Sequence, residues 1–434
     1  MDTLERRTMA KVFRRLMPLL IVCYCVAYLD RVNVGFSALE MNSDLGLTAS
    51  AFGFGAGIFF LTYFFFEVPS NLMLTRFGAR RWFARILFSW GLVSCATALV
   101  TGPTSFYAVR LLLGAAEAGF FPGVAFFLSQ WFPSAYRARV MSYFLFAAPL
   151  SSVIGSPISG ALLGMHGFMG LHGWQWLFIL EGLPALVLAA IVLAIVADRP
   201  AEAKWLGSDE RAWLGEQITG EQQNHVVQRE YGFWEVLINP RVLLLALVHF
   251  GLVLTIYGVG FFLPQIIKEF GGSNLQTSFI ATIPYFVAMV GIIVLGKRSD
   301  SRMERRFHTV VPVLVAGIAL AAAALVHNPS AKVIAFSIAA FGSYGALPAF
   351  WAIATNLMPG KTAAASIAVI AALGNLGGFV GPFIMGLAKD HTGNFTSGLL
   401  ILAAAGVVAG LIVLVLGRAS LQNSTLVRGS LSAK

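Results

Sequence analysis

VLLLALVHFGLVLTIYGVGFFLPQII, residues 242–267, is an unbroken run without a single Asp, Glu, Lys or Arg side chain. A helix needs about 20 mostly apolar residues to cross the roughly 30 Å hydrocarbon layer of a bilayer. A soluble core helix has no need of a run this long, because one of its faces meets water. Residues 242–267 therefore predict a membrane-spanning helix.

The rest of the chain repeats this pattern. Of its 434 residues 58% are hydrophobic and 12% are charged, with a mean hydropathy of +0.78, whereas soluble domains carry about 25% charged residues. This composition excludes a soluble globular protein. The apolar runs predict twelve spans, at 16–37, 49–69, 82–101, 104–131, 140–164, 174–197, 242–267, 275–296, 308–326, 332–357, 362–387 and 396–417.

The spans fall into two sets of six. We predict an all-α membrane protein of twelve transmembrane helices in two pseudo-symmetric six-helix bundles, 1–197 and 241–420, with a cytoplasmic linker at 198–240 and a disordered tail at 421–434. The halves echo each other, since span 5 carries a Gly-Pro cluster at 155–160 and span 11 carries one at 381–386. Such repeats imply a binding site near the midplane and alternating access by rocking of the bundles.

The basic residues predict the orientation. All but five of the 30 Lys and Arg residues lie in the termini or beside the loops that follow even-numbered spans. Cytoplasmic loops carry the excess of positive charge, so both termini and the linker are expected in the cytoplasm. The net charge of +10 is therefore attributed to the basic residues of the cytoplasmic loops and termini. A nucleic-acid partner is not expected.

Two spans of the first half carry charges inside the apolar run. Span 1 contains Asp30 and Arg31, and span 4 contains Arg110 and Glu117. Each such charge costs about 2.5–3.5 kcal/mol on insertion scales, so each requires a compensating role. Arg110 and Glu117 are seven residues apart and share one helix face. In a static interpretation, Asp30–Arg31 and Arg110–Glu117 are buried ion pairs that fix helix packing.

A functional interpretation uses the same four residues. Arg31 or Arg110 offers a planar, bidentate fork to a carboxylate. Asp30 and Glu117 can each lose their charge by binding a proton. An anion that competes for the arginine would free a carboxylate for protonation, which couples the movement of an anion to that of a proton.

Five segments carry short motifs, namely YLDRVN at 28–33, FEVPSN at 66–71, RLLLGAAEAGFFPG at 110–123, WQWLFILEGLP at 174–184 and the span 7 pattern YG-x2-FFLP at 257–264. Together they resemble the anion:cation symporter family of the major facilitator superfamily, and the likeness runs through nearly the whole chain. The loops after spans 2 and 8 resemble the superfamily's Gly-x3-Asp-Arg-x-Gly-x2-Arg-Arg motif. The first loop has Thr75 at the usual Asp position, and the second keeps Asp300 but has Met303 in place of Gly.

The resemblance implies a proton-coupled importer of organic anions. It implies that Arg31 binds the substrate carboxylate, with Tyr28 and Tyr63 beside it. Asp30 and Glu117 become the protonatable carboxylates, with Arg110 as the partner of Glu117. The basic loops imply a gating role for Arg76, Arg80 and Asp300.

The second half offers weaker candidates. Trp351 and Asn375 are expected to give the substrate a stacking face and a hydrogen bond. His249 is interpreted as a packed core histidine, and Glu67 and Glu181 as structural groups that pair with loop arginines or backbone donors. The aromatic, weakly polar second half favours phthalate-like or hydroxyphenylacetate-like substrates, with tartrate-like ones still open.

We therefore expect a multi-pass inner-membrane importer of a small organic carboxylate, driven by proton symport and functional as a monomer. The alternatives are an anion exchanger or facilitator of the same fold and, more remotely, a non-transporting membrane sensor. An enzyme is not expected, because the spans contain no metal-ligand cluster and no Ser-His-Asp set. Protons are the expected coupling ion, without a metal or another cofactor.

Overall fold

The structure, a computed structural model, describes residues 3–224, 233–355 and 361–431. Its regular elements within these ranges are helices, and no strand occurs there. We number the α-helices in chain order. They are α1 Thr3–Asp44, α2 Ala49–Phe77, α3 Ala79–Ala96, α4 Pro103–Glu117, α5 Phe120–Trp131, α6 Ser134–Leu163, α7 Gly173–Ile195, α8 Ser208–Asn224, α9 Phe233–Leu237, α10 Pro240–Lys268, α11 Asn274–Arg302, α12 Arg306–Leu325, α13 Pro329–Gly345, α14 Leu347–Thr355, α15 Lys361–Asn375, α16 Gly377–Thr392 and α17 Thr396–Leu431.

Twelve segments of the described residues are long and apolar enough to cross a membrane, which confirms the predicted all-α membrane fold. Most of these segments extend past the predicted spans. Helix α1, for example, is Thr3–Asp44, whereas the sequence predicts a span at 16–37. Three spans consist of two consecutive helices, namely α4–α5, α13–α14 and α15–α16. The sequence pattern gives no sign of these interruptions, because the apolar run continues through them.

The chain forms two compact units. One comprises Met1–Gln228 and Leu263–Thr282, and the other comprises Arg229–Phe262 and Ile283–Lys434. The first therefore includes the end of α10 and the start of α11. Within it, the Asn274 side chain donates a hydrogen bond of 2.8 Å to Glu40 near the end of α1.

Span 4 is interrupted directly after Glu117. Gly119 has φ 85° and ψ −2°, a left-handed conformation that glycine adopts at little cost. A Cβ atom at this position would lie 2.4 Å from the Ser70 hydroxyl oxygen of α2. Glycine is thus required by both the backbone and the neighbouring helix, and Glu117 becomes the last residue of α4.

A second glycine brings α4 against α2. A Cβ atom at Gly114 would lie 2.2 Å from the Phe59 carbonyl oxygen and 2.3 Å from Thr62 Oγ1. Small residues at such positions let membrane helices approach closely. Gly114 lies between Arg110 and Glu117, so this contact fixes the height and rotation of both charges relative to α2.

Gly114→Ala is expected to destabilise the protein by about 1–3 kcal/mol, because a backbone carbonyl of a packed helix has to move. The matched control is Gly406→Ala inside α17, where the nearest atoms, Gly317 Cα and Thr255 Oγ1, lie at an ordinary 3.8 Å. The unfolding midpoints of both variants are measured by heating the detergent-purified proteins and following tryptophan fluorescence. Equal midpoints for the two variants would contradict the close contact.

The linker contains helix α8, which lies against the start of α1. Glu210 is buried and accepts hydrogen bonds from Arg7 Nε and Lys11 Nζ, both at 2.9 Å. Burial alone raises the pKa of Glu210, but the bonds from Lys11 and the Gly207 N–H and the charge of Arg7 together lower it. The sequence of residues 205–214 predicts a short amphipathic helix in this linker, and the observed helix begins at Ser208. Trp205, before its start, stacks on Trp131 with ring centroids 5.6 Å apart.

At the other end of the chain, α17 runs to Leu431. Its backbone is helical through 421–431, where the sequence predicts a disordered tail. Leu, Gln and Arg residues in that segment have good intrinsic helix propensity, and the helix continues directly from span 12. Residues 225–232 of the predicted linker and 432–434 of the predicted tail lie outside the described residues.

Candidate functional site

The centre of the candidate site is an ion pair between Arg31 of α1 and Glu117 of α4. Arg31 Nη2 donates to Glu117 Oε1, and both side chains are buried, at 9% and 1% exposure. Glu117 Oε2 is buried and has no hydrogen-bond partner among the described residues. A buried pair costs desolvation energy and is by itself weak evidence for stability. One carboxylate oxygen is thus left available to a proton.

Aromatic rings of α2 surround the Arg31 guanidinium. Its Cζ atom lies 5.2, 5.9 and 5.3 Å from the ring centroids of Phe59, Phe60 and Tyr63. Cations gain roughly 0.5–2 kcal/mol over such ring faces, most when water is excluded. The structure therefore brings Tyr63 to Arg31, as the sequence predicts. Tyr28, one helical turn before Arg31, is also buried, and its ring lies 6.3 Å from that of Tyr24.

The predicted pairing of Arg110 with Glu117 is wrong. A seven-residue spacing places the two on one face but separates them by about 10 Å along the helix axis. Arg110 instead donates to the carbonyl oxygens of Gly55 and Ala56 on α2, at 3.4 and 2.9 Å. Its Cζ atom lies 5.1 Å from the Phe59 centroid, so one ring contacts both guanidinium groups.

Asp30 points away from Arg31 and forms a second polar cluster. Its carboxylate accepts hydrogen bonds from the Trp90 indole and the Ser94 hydroxyl of α3, and from Asn33 Nδ2 at 3.3 Å. Arg110 is the cation within electrostatic range of this carboxylate. The static Asp30–Arg31 pair is therefore not formed. Successive residues of a helix project about 100° apart, which separates the two charges.

Both acidic residues interpreted as structural lie inside the first unit. Glu181 of α7 is buried and accepts a 2.7 Å hydrogen bond from the Ser159 hydroxyl of α6. Neither a loop arginine nor a backbone N–H of the described residues bonds to its carboxylate, so the predicted pairing is wrong for Glu181. Glu67 is half-buried and lies within electrostatic range of Arg31, the arginine of the candidate site and not one of the loops. The sequence identifies both residues but not their surroundings, since a single acidic residue in a span does not indicate which helix it faces.

The gating residues lie at helix ends, beside the loops that follow α2 and α11. The Arg80 backbone N–H donates a 2.8 Å bond to Asp198, just after α7, while Arg76 is exposed. Asp300 pairs with Arg305. In that second loop Met303, which occupies the glycine position of the superfamily motif, adopts a left-handed φ of 50°. Such a conformation is one that glycine adopts at little cost. Their gating role stays a prediction.

The candidates of the second half belong to the second unit. Trp351 of α14 is half-buried, with its ring 4.9 Å from that of His249. His249 also stacks on Phe350, and its Nδ1 atom lies 3.3 Å from the Ile370 carbonyl oxygen. This is the environment of a packed core histidine. Asn375 is half-buried at the end of α15.

A metal site is not formed by the residues described above. Within residues 3–224, 233–355 and 361–431, no three His, Cys, Asp or Glu side chains are grouped so that they could hold a metal ion. The candidate site itself offers a guanidinium and carboxylates. It can bind an anion at a guanidinium and a proton at a carboxylate.

Comparisons with known proteins show which family the chain resembles. The family model of the Major Facilitator Superfamily matches residues 20–382 and 245–430. A protein of Agrobacterium vitis named "Putative tartrate transporter" is 48% identical, over 97% of both chains. A quinolone resistance transporter of Acinetobacter baumannii is 42% identical over 92% of both chains. The solved structure of the xylose transporter XylE from E. coli aligns with a TM-score of 0.74 and 14% identity, covering 92% of this chain and 97% of that one.

The identity to these relatives over nearly their full length, together with the family match, decides the class. The proteins that it resembles are transporters and not enzymes, as the sequence predicts. The chain belongs to the Major Facilitator Superfamily, and it is a multi-pass membrane transporter.

Proposed function

We propose that the protein is a symporter that imports a small hydroxy-dicarboxylate of the tartrate type together with protons, across the bacterial inner membrane. The observation that carries the proposal is the buried ion pair of Arg31 with Glu117, within a ring of aromatic side chains. An arginine in a membrane span that is held by an ionisable residue is available to a competing anion. We further propose that a single chain is sufficient for transport.

In this mechanism a substrate carboxylate replaces Glu117 at the Arg31 guanidinium. The fork-shaped guanidinium can accept a carboxylate by two parallel hydrogen bonds, which adds geometric specificity. Glu117, having lost its cation, lies in a low-dielectric site where the charged form is unfavourable. It therefore takes a proton from water. When the substrate leaves, Glu117 releases this proton and pairs with Arg31 again.

Asp30 would provide a second proton site. It accepts three hydrogen bonds and lies within electrostatic range of Arg110. The ring of Phe59 contacts both guanidinium groups, so a movement at Arg31 is transmitted to the surroundings of Arg110. Protonation at Glu117 and at Asp30 would then be linked through one packed aromatic side chain.

The 48% identical relative named for tartrate transport supports a hydroxy-dicarboxylate as substrate. The half-buried Trp351 gives the second unit an aromatic surface, which keeps phthalate and hydroxyphenylacetate as substrates to be tested. The relative named for quinolone resistance favours a second candidate function, the movement of a quinolone. An exchanger or facilitator of the same anions is the remaining alternative.

The proposal is tested by uptake into proteoliposomes. We expect an inside-alkaline pH gradient to drive accumulation of labelled tartrate above its external concentration, and an uncoupler to abolish this accumulation. Phthalate, hydroxyphenylacetate and a quinolone are measured in parallel. Tartrate that only equilibrates, whatever the gradient, would identify a facilitator or exchanger. If no carboxylate moves while the quinolone does, the second candidate function is correct.

A further inference from the structure

Glu181 is a buried carboxyl group without a role in the mechanism above. Its side chain is 2% exposed, and it forms no ion pair with any Lys, Arg or His of the described residues. The Ser159 hydroxyl donates to one oxygen, Oε1, and the other oxygen, Oε2, is buried without a hydrogen-bond partner there. A buried carboxylate without a cation is costly, whereas a protonated carboxyl can donate a hydrogen bond from Oε2.

Asn33 connects this group to Asp30. The Asn33 amide is fully buried and donates from Nδ2 to Asp30 at 3.3 Å. The same side chain lies near Glu181, although no direct hydrogen bond joins the two residues in this structure. Its carbonyl oxygen, Oδ1, is buried and has no partner among the described residues. The cluster thus contains two buried oxygens without a hydrogen-bond donor, Asn33 Oδ1 and Glu181 Oε2, and a proton on Glu181 would supply a donor.

An amide provides both a donor and an acceptor, and a rotation by 180° exchanges them. With Glu181 ionised, the NH2 group of Asn33 can be drawn to Glu181 and away from Asp30. With Glu181 protonated, Oε2 donates to Asn33 Oδ1, and the NH2 group is committed to Asp30. The protonation state of Glu181 thereby sets how strongly the ionised form of Asp30 is stabilised.

Other titratable groups near Glu181 are few. Asp30 faces α7 from α1, and Cys95 faces it from α3, where the Cys95 Sγ donates to the Ile179 carbonyl oxygen at 3.5 Å. The α6 helix contributes the Ser159 hydroxyl. Of these groups, Asp30 is the one that accepts a hydrogen bond from the Asn33 amide, which also lies near Glu181.

We propose that Glu181 binds and releases a proton during transport, and that Asn33 passes the change to Asp30 by exchanging its hydrogen bonds. Glu181 is in this sense a positioning residue that acts through Asn33. The proton comes from water and returns to it, and no other bond is made or broken. The inference rests on the proposed proton symport and adds a carboxyl group to it.

The test compares Glu181→Gln with wild type and with Ser159→Ala, a structural control that removes a hydrogen bond but keeps the carboxyl group. Proton entry and tartrate uptake are measured together in proteoliposomes that contain a pH-sensitive dye. We expect Glu181→Gln to move one proton fewer per tartrate and to keep tartrate exchange, because glutamine mimics the protonated form. Ser159→Ala is expected to keep the wild-type ratio. A wild-type ratio in Glu181→Gln would overturn the inference.

A second measurement does not depend on transport. Infrared difference spectra of purified protein, recorded over a pH series, report protonation of carboxyl groups, and we expect one band to be lost in Glu181→Gln. If wild-type protein accumulates no tartrate on a proton gradient, the proposed function fails, but these spectra still decide whether Glu181 titrates. If tartrate accumulates and the spectra of wild type and Glu181→Gln are identical, only the inference about Glu181 fails.

Discussion

Arg31→Ala is expected to abolish tartrate binding and uptake. Truncating one member of a buried, hydrogen-bonded charge pair costs about 2–5 kcal/mol, which is a loss of roughly 30-fold to several thousand-fold in affinity. Arg31 is the only cation that pairs with Glu117 in the described part of the chain, so another guanidinium does not take its place. Binding is measured by calorimetry on purified protein, and uptake in proteoliposomes.

Two further variants separate binding from folding. Removing Arg31 leaves Glu117 buried and uncompensated, which costs about 3–5 kcal/mol of stability. The double variant Arg31→Ala/Glu117→Gln lacks both charges and should regain stability without regaining binding. Arg85→Ala, at an arginine that stacks on Trp82 with 4.0 Å between Cζ and the ring centroid, is the control for loss of a guanidinium elsewhere. Tartrate affinity of wild-type strength in Arg31→Ala would refute the anion site.

Glu117→Gln is expected to separate exchange from accumulation. Glutamine has nearly the shape of glutamate but cannot bind or release a proton at this position, and Arg31 loses its competing carboxylate. Tartrate binding should therefore be retained or become tighter. Counterflow of labelled against unlabelled tartrate should persist, while a pH gradient should no longer concentrate tartrate, so that its internal concentration only reaches the external one.

The control for this variant is Glu40→Gln, near the end of the same helix as Arg31, where the carboxyl group accepts a hydrogen bond from Asn274. This change removes an acidic group from the first unit without touching the ion pair, and accumulation should continue. The proton role of Glu117 has to be abandoned if Glu117→Gln accumulates tartrate as wild type does. A loss of counterflow as well would identify Glu117 as part of the anion site itself.

The twelve spans could be predicted from the sequence because the length of an apolar run and the thickness of a bilayer are directly comparable. The four buried charges could also be found, since each is an exception within an apolar run. The residues with which these charges interact could not be predicted. Spacing along one helix predicts which residues share a face, but Arg31 and Glu117 meet because α1 and α4 are neighbours in space, and a single sequence carries no signal for that.

The same limit applies to the glycines. The sequence places Gly114 between Arg110 and Glu117, but it does not reveal that a Cβ atom there would lie 2.2 Å from a carbonyl oxygen of α2. The interruption at Gly119 is likewise invisible, because the run on both sides of it is apolar and glycine is common in membrane helices. The surroundings of Glu181 are hidden for a related reason, since Ser159 and Asn33 lie on two other helices.

The contacts of Arg110 and Glu117 bear on how the protein is made. Entering a bilayer with both charges costs span 4 about 5–7 kcal/mol on insertion scales. The groups that compensate these charges precede span 4 in the chain, because Arg31 lies in α1 and the Gly55 and Ala56 carbonyl groups lie in α2. Synthesis proceeds from the N-terminus, so the partners have already been made when span 4 leaves the ribosome. The charged core can assemble before the second half has been translated.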